Sequence, residues 1–161
     1  MQESNPLVIY LDTSVVSAYF DGRTESRQED TRQFWEFSRT CQFVVSRLVV
    51  NEIRRTPTVS RRDEMLQLVE GLSSLLTSKE TEALALDFIH EGLVPVNKVD
   101  DALHLALAVT AGVDFLVSWN FKHMVNYKTV KKLPVLAAKN GYFKQLIVIS
   151  PAAFTDEMQG D

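Results

Sequence analysis

The chain has 161 residues, of which 45% are apolar and 24% charged, and a formal net charge of -4. This composition excludes disordered, collagen-like and repeat proteins and is typical of one globular domain. A lone cysteine, Cys41, cannot close an intramolecular disulfide, so we expect a reducing, cytoplasmic setting. We expect neither a signal peptide nor a membrane span, because the apolar run near the N-terminus is short and an acidic residue precedes it.

The first half of the chain alternates short apolar runs with helical patterns. A strand is predicted at 7–11, and Asp12-Thr13-Ser14 then begins a helix that reaches Phe20. A charged helix over 25–39 and a strand at 42–45 follow. Ser46 is predicted to cap the next helix, over 47–55.

The second half continues this alternation. Helices are predicted from 61 to about 71, from 77 to 91 with a capping box between Thr77 and Glu80, and over 102–111. Strands are predicted at 93–96, 115–118 and 146–149, and one or two lysine-rich helices lie before the last of them. The pattern predicts a single three-layer α/β/α domain with a mostly parallel sheet over residues 1–155, and a short polar tail at 156–161.

Oxygen-bearing side chains follow several of these predicted strands. Open α/β sheets bind ligands at the carboxyl ends of their strands, where Asp12, the pair Asp100 and Asp101, and Asn120 are expected. Glu52 lies on the helix that follows the second strand. Each has an ordinary alternative: helix capping for the aspartates, a surface ion pair for the glutamate, and a chain turn for the asparagine.

Helix capping does not predict that several carboxylates converge at one edge of one sheet. Crowded carboxylates raise one another's pKa unless a cation is present. Mg²⁺ prefers carboxylate and water oxygens, and a bound ion can activate water and stabilise charge on a phosphate. The joint pattern therefore favours phosphodiester hydrolysis.

The charges are unevenly spread along the chain. All nine arginines lie between Arg23 and Arg62, and residues 115–155 hold six lysines and no acidic residue. Such segments can be solvated helix faces, or they can bind a phosphate backbone despite the negative net charge.

In their order and spacing, four segments resemble the PIN domain and, within it, the small toxin-like ribonucleases of VapC type, over residues 7–154. The segments are VIYLDTSVV, SRLVVNEI, VDDALHLALAVTAGVDFLVSWNFKHM and LIVISP. The resemblance places the catalytic residues of the family on Asp12, Glu52, Asp101 and Asn120. It assigns the first three as metal ligands and gives Ser118 a place in the same pocket.

The resemblance implies a metal-dependent endoribonuclease that uses Mg²⁺, with Mn²⁺ as a substitute, and water as the nucleophile. It also implies a homodimer and a small antitoxin partner. Asn120 stands where an aspartate is frequent, which favours one-metal chemistry. Two other classes stay open: a non-catalytic interaction module with the same fold, and a phosphatase-like enzyme phosphorylated on Asp12, although LDTS lacks the second aspartate of a DxD motif.

Supporting residues are expected around these acids. Ser14 is a supporting residue beside Asp12, and Arg47, Arg54, Arg55 and Lys122 are candidates for binding the RNA backbone.

Two ring-bearing residues have alternative interpretations. His104 shares a helix face with Asp101, so it is either a hydrogen-bonded core residue or a partner of that aspartate. Trp119 is expected in the core, with stacking on a base as the alternative. The variant Asp12→Asn is expected to lose activity while leaving the fold intact or more stable, because it removes a crowded negative charge.

Overall fold

A five-stranded parallel sheet forms the centre of the protein. The structure, a computed structural model, describes residues 5–160. The strands are β1 (Val8–Leu11), β2 (Gln42–Ser46), β3 (Ser73–Leu75), β4 (Phe115–Val117) and β5 (Ile147–Ile149). Their order across the sheet is β3-β2-β1-β4-β5, and every pair of neighbours is parallel.

Helices cover both faces of this sheet. They are α1 (Thr13–Phe20), α2 (Glu25–Phe37), α3 (Arg47–Arg54), α4 (Val59–Val69), α5 (Lys79–His90), α6 (Val99–Ala111), α7 (Tyr127–Lys139) and α8 (Pro151–Gln159). The predicted three-layer α/β/α fold with a parallel sheet is confirmed. Among the residues described, no helix combines the length and the apolar character that crossing a membrane needs.

Alternating strand residues divide the core into two layers. Phe43 and Phe115 flank Ile9 in register and so lie on one face of the sheet. There Phe43 stacks on Phe34 of α2, with ring centres 5.7 Å apart, and Phe115 meets Phe154 of α8 edge to face at 4.9 Å. Tyr10, the next residue along β1, faces the opposite layer and contacts α6. The central strand is therefore packed on both sides, as its continuous apolar sequence predicts.

The predicted strand at 93–96 is wrong. Leu93 and Val94 are buried, but they belong to the turn after α5, and Pro95 has no N–H to donate to a sheet. The third strand is β3, a short edge strand that pairs with β2. Asp101 consequently does not follow a strand and lies in the first turn of α6.

Helix boundaries differ from the predictions by a few residues. Ser46 caps α3 as predicted, since its hydroxyl accepts a bond from the Val49 N–H at 3.1 Å. The capping box of α5 joins Ser78 and Thr81, one residue beyond the predicted pair. The segment predicted as a polar tail is helical through residue 159, because it forms the second half of α8.

Candidate active site

The site lies where the order of the strands reverses. β2, the next strand along the chain, lies on one side of β1, and β4 lies on the other side. A crevice forms beyond the carboxyl ends of two such strands, because their connections leave in opposite directions. Asp12 directly follows β1, and its N–H donates to the carbonyl of Val117 at 3.1 Å. Sheet pairing therefore fixes the backbone of the first candidate residue.

The Asp12 carboxylate accepts hydrogen bonds from two serines. Ser14 Oγ donates to its Oδ2 at 2.7 Å and Ser118 Oγ donates to the same oxygen at 2.8 Å. Asp12 occupies the N-cap position of α1, yet its side chain makes no capping bond. The side chain is only 5% exposed. The carboxylate is therefore held by the two serines of the site, and helix capping does not explain its orientation toward β4.

The same serines tie the segment after β4 to Asp12. The N–H of Trp119 donates to Ser14 Oγ at 2.9 Å, and the N–H of Asn120 donates to Ser118 Oγ at 2.9 Å. Both serines thus accept a backbone bond while they donate to the carboxylate. The structure places these two predicted supporting residues around Asp12.

A buried chain of hydrogen bonds leads from the core to Glu52. Thr13 Oγ1 donates to Glu52 Oε1 at 2.8 Å, and His104 Nε2 donates to the same oxygen at 2.7 Å. On the other side of its ring, His104 Nδ1 shares a bond of 2.7 Å with the Tyr10 hydroxyl, which in turn shares one of 2.8 Å with Ser46 Oγ. His104 is 1% exposed. His104 is therefore a hydrogen-bonded core residue whose partner is Glu52, and it is not a partner of Asp101.

The neighbouring carboxylates favour the protonated form of His104. Burial opposes protonation of the ring, but the charge of Asp12, 3.5 Å from Nε2, and the bond to Glu52 outweigh burial and raise the pKa of His104. Burial likewise opposes the charge of Glu52, yet the hydrogen bond and charge of His104 lower the pKa of that carboxyl. Glu52 therefore stays ionised, and the repulsion expected among the acids is relieved by the protein itself.

The third acid has a different histidine partner. Asp101 Oδ2 and His123 Nδ1 are 2.9 Å apart. The N–H of His123 donates to Asn120 Oδ1 at 3.0 Å, so the amide oxygen of Asn120 holds the turn after β4. Sequence spacing gave no signal for the contact between Asp101 and His123. Their positions on α6 and after β4 become adjacent only in the folded chain.

Two cavities meet at these side chains. The first, of about 420 Å³, is lined by all four predicted catalytic residues, Asp12, Glu52, Asp101 and Asn120. The second, of about 630 Å³, shares the last three of them and adds Lys98, Lys122 and His123. The structure thus brings the predicted acids to one crevice.

The acids suit a hard divalent cation only in part. Among residues 5–160, no three His, Cys, Asp or Glu side chains are grouped closely enough to hold an ion together. Asp12, Glu52 and Asp101 nevertheless present carboxylates to one cavity. Mg²⁺ usually keeps several waters and takes one or two protein carboxylates. The donor set therefore fits an ion held largely through water, and it is not a preassembled three-residue chelate.

The predicted RNA-binding residues separate into two groups. Lys122 lines the second cavity, whereas Arg47, Arg54 and Arg55 are exposed on or just after α3 and border neither cavity of the site. The surface ion pair offered as the alternative for Glu52 would use Arg55, three residues further along the chain, but the partner of Glu52 is the buried His104.

Trp119 belongs to the core, as expected. Its ring is 9% exposed, and Nε1 donates to Thr31 Oγ1 at 2.9 Å.

Family comparison agrees with this geometry. The PIN domain family profile matches residues 9–120, and the chain belongs to the PIN domain family. The matched region runs from β1 to the residue after Trp119 and contains all four predicted catalytic residues.

A solved structure shares the fold. The chain is similar to one in the crystal structure of VapBC2 from Rickettsia felis bound to a DNA fragment from their promoter, with a TM-score of 0.55 and 12% sequence identity. The similarity covers 89% of this chain and 98% of that one. No curated protein sequence matches the chain.

Proposed function

We propose that this chain is a Mg²⁺-dependent endoribonuclease and the toxin of a toxin–antitoxin pair. One observation carries the proposal: Asp12, Glu52 and Asp101 come from three separate elements and line one crevice at the strand-order reversal. PIN domains are generally nucleases and usually use divalent metals, and the chain belongs to that family. Mn²⁺ is expected to substitute for Mg²⁺.

Each acid has a defined task in this proposal. Asp12, Glu52 and Asp101 would hold the ion, which when bound lowers the pKa of water and neutralises charge on the phosphate. Glu52 is a poor proton acceptor because His104 lowers its pKa, so we assign it the role of a fixed negative charge. Asp12 has the same role, since two serine hydroxyls donate to its carboxylate and hold it in place.

Asn120 is assigned to the substrate. Its amide oxygen is used by the turn, but its amide nitrogen has no hydrogen-bond partner within residues 5–160. Asn120 borders both cavities, so this nitrogen can donate to a phosphate oxygen of the strand being cleaved. Such a bond orients the phosphate without adding a negative charge to the crevice.

The second cavity provides cations for the RNA backbone. Lys98 and Lys122 line it, and phosphate contacts of this kind position a strand without identifying its bases. We assign Arg47, Arg54 and Arg55 to contacts further along the RNA. A homodimer, a small antitoxin and a cytoplasmic location complete the proposal; the similar fold found in a VapBC2 structure supports the antitoxin.

A non-catalytic interaction module is the second candidate. The observation that favours it is the bond between His104 and Glu52, because the crevice is already partly neutralised without an ion. Phosphorylation of Asp12 has no comparable support, since the residue is 5% exposed and its carboxylate is bound by two serines.

Cleavage assays separate the two candidates. Purified protein is incubated with end-labelled single-stranded and structured RNAs in Mg²⁺, in Mn²⁺ and in EDTA. We expect internal cleavage that needs the metal and is lost in Asp12→Asn but kept in Asp114→Asn, which lies at the other end of the sheet. Inactivity of the wild type in both metals, with partner binding unchanged in Asp12→Asn, would establish the module instead.

A further inference from the structure

The first cavity continues beyond the acids toward the start of α2. There its wall includes Asp21, Thr24 and Arg27. Apart from the buried His104, Arg27 is the one basic side chain among the described residues that line this cavity. No sequence pattern distinguishes Arg27, because it is one of nine arginines in the first part of the chain.

Arg27 is held against an aromatic ring that is itself fixed. The guanidinium carbon lies 4.8 Å from the ring centre of Trp119. The indole N–H of Trp119 donates to Thr31 Oγ1 at 2.9 Å, and the hydroxyl of Thr31 donates to the carbonyl of Arg27 at 2.7 Å. Thr31 is fully buried. One hydroxyl therefore fixes both the backbone of the arginine and the ring beneath its side chain.

The guanidinium has no acidic partner among residues 5–160. The carboxylate of Asp21 is occupied by Arg23, whose Nε and Nη2 donate to it at 2.9 and 2.7 Å. No carboxylate oxygen lies within 4.0 Å of the Arg27 guanidinium among residues 5–160. A guanidinium that stacks on a ring keeps its N–H donors in its own plane, where they match the oxygens of a phosphate.

The two cavities place cations on both sides of the acids. Arg27 lines the first cavity, Lys98 and Lys122 line the second, and Glu52 and Asp101 line both. A polynucleotide that crosses the acids therefore meets a basic side chain before and after them.

We infer that Arg27, held on Trp119, binds an RNA backbone phosphate on the side of the crevice opposite Lys98 and Lys122. This inference rests on the proposed ribonuclease function and adds a substrate-binding residue to it. The phosphate is that of a nucleotide flanking the cleaved bond, because the acids themselves occupy the centre. A phosphate fits the in-plane N–H donors better than a base does, because one face of the guanidinium already lies against the indole.

Arg32 provides a matched control on the same helix. Its guanidinium lies 5.1 Å from the ring centre of Tyr19 and its Nε donates to the Tyr19 carbonyl at 2.9 Å, but it lines neither cavity. Arg27→Gln removes the stacked cation inside the crevice, and Arg27→Lys replaces it with another cation. Arg32→Gln removes a stacked cation outside the crevice. Urea unfolding of all variants shows that each is folded before it is compared.

Binding and turnover are measured separately. Fluorescence anisotropy with a labelled single-stranded RNA, on the Asp12→Asn background, gives Kd from about 50 to 300 mM salt. We expect Arg27→Gln to weaken binding about tenfold at low salt and to reduce the slope of log K against log salt by about 0.7, the value for one lost phosphate contact on a single strand. Arg27→Lys restores the slope, and Arg32→Gln leaves both quantities unchanged. With an otherwise wild-type active site, Arg27→Gln raises KM more than it lowers kcat.

Each outcome decides the matter. Equal Kd and salt slopes for Arg27→Gln and Arg32→Gln, with a wild type that cleaves RNA, overturn the inference and leave the proposed function standing. A wild type that neither binds nor cleaves RNA removes the proposed function and this inference together.

Discussion

Removing the hydroxyl of Tyr10 should destabilise the protein by more than the loss of a single hydrogen bond. Tyr10 is fully buried, and its hydroxyl joins Ser46 Oγ at 2.8 Å to His104 Nδ1 at 2.7 Å. Tyr10→Phe removes both bonds, each worth about 0.5–1.5 kcal/mol, and leaves a buried ring nitrogen without a partner at a cost of about 1–3 kcal/mol. These contributions overlap, so we expect a loss of about 2–3 kcal/mol in the free energy of unfolding.

Urea unfolding measures this loss directly. With a slope near 2 kcal/mol per molar urea, the midpoint should fall by about 1 M without a change in slope. Tyr19→Phe is the control, because the Tyr19 hydroxyl makes no hydrogen bond with the residues described and its loss should stay within about 0.5 kcal/mol. A Tyr10→Phe variant as stable as Tyr19→Phe would refute the assignment of a continuous buried chain of hydrogen bonds from Ser46 to His104.

Three further changes test other parts of the structure. Asp12→Asn should lower the rate of cleavage about a hundredfold or more. It should also lower the free energy of unfolding by about 1–2 kcal/mol, because two serine hydroxyls lose their charged acceptor. A urea midpoint above that of the wild type would show instead that repulsion among the acids is the larger effect. The Val8 N–H donates to Asp114 Oδ2 at 2.8 Å, and this bond lowers the pKa of Asp114. The stabilisation of the fold by this bond is therefore complete above about pH 5 and is lost as the pH falls below about 4. Asp114→Asn should therefore cost about 1 kcal/mol at pH 7 and less at pH 3, and equal losses at both pH values would contradict this. Gly112→Ala should lower the free energy of unfolding by about 1–2 kcal/mol, because φ of Gly112 at the end of α6 is 66°. The added Cβ meets only the Lys144 side chain, at 3.9 Å, so the cost comes from the backbone. An unchanged midpoint in thermal or urea unfolding would show that this backbone cost is absent.

The fold was predictable where strands have a continuous apolar sequence. β1, β2, β4 and β5 each contain such a run, although β5 lies at the edge of the sheet, and the predicted positions agree with the structure to within a residue or two. β3 was missed because it is three residues long, lies at the edge of the sheet and contains two exposed serines. Residues 93–96 have the better strand composition, but only Leu93 and Val94 are buried, and they are buried by packing in a turn, which composition cannot distinguish from a sheet.

The convergence of the acids was also predictable, whereas their histidine partners were not. Asp12, Glu52 and Asp101 were identified from order, spacing and resemblance, and they share a cavity. The expectation that Asp12→Asn would relieve repulsion did not include His104, which stands between two of the acids. Helical spacing relates His104 to Asp101, its neighbour on α6, but its bonded partner Glu52 is 52 residues away in the sequence. Such a pairing exists only in three dimensions.

The bond between Asp12 and Ser118 spans 106 residues of sequence. During synthesis on the ribosome, a growing chain that has not yet reached β4 already contains Asp12 and Glu52 but lacks the strand and the serine that anchor the aspartate. Contacts between such distant segments also form late in folding, because closing a long loop costs entropy before the contact stabilises it. Nascent chains that end before β4 therefore lack a complete crevice, which forms only when β4 pairs with β1 and Ser118 reaches Asp12.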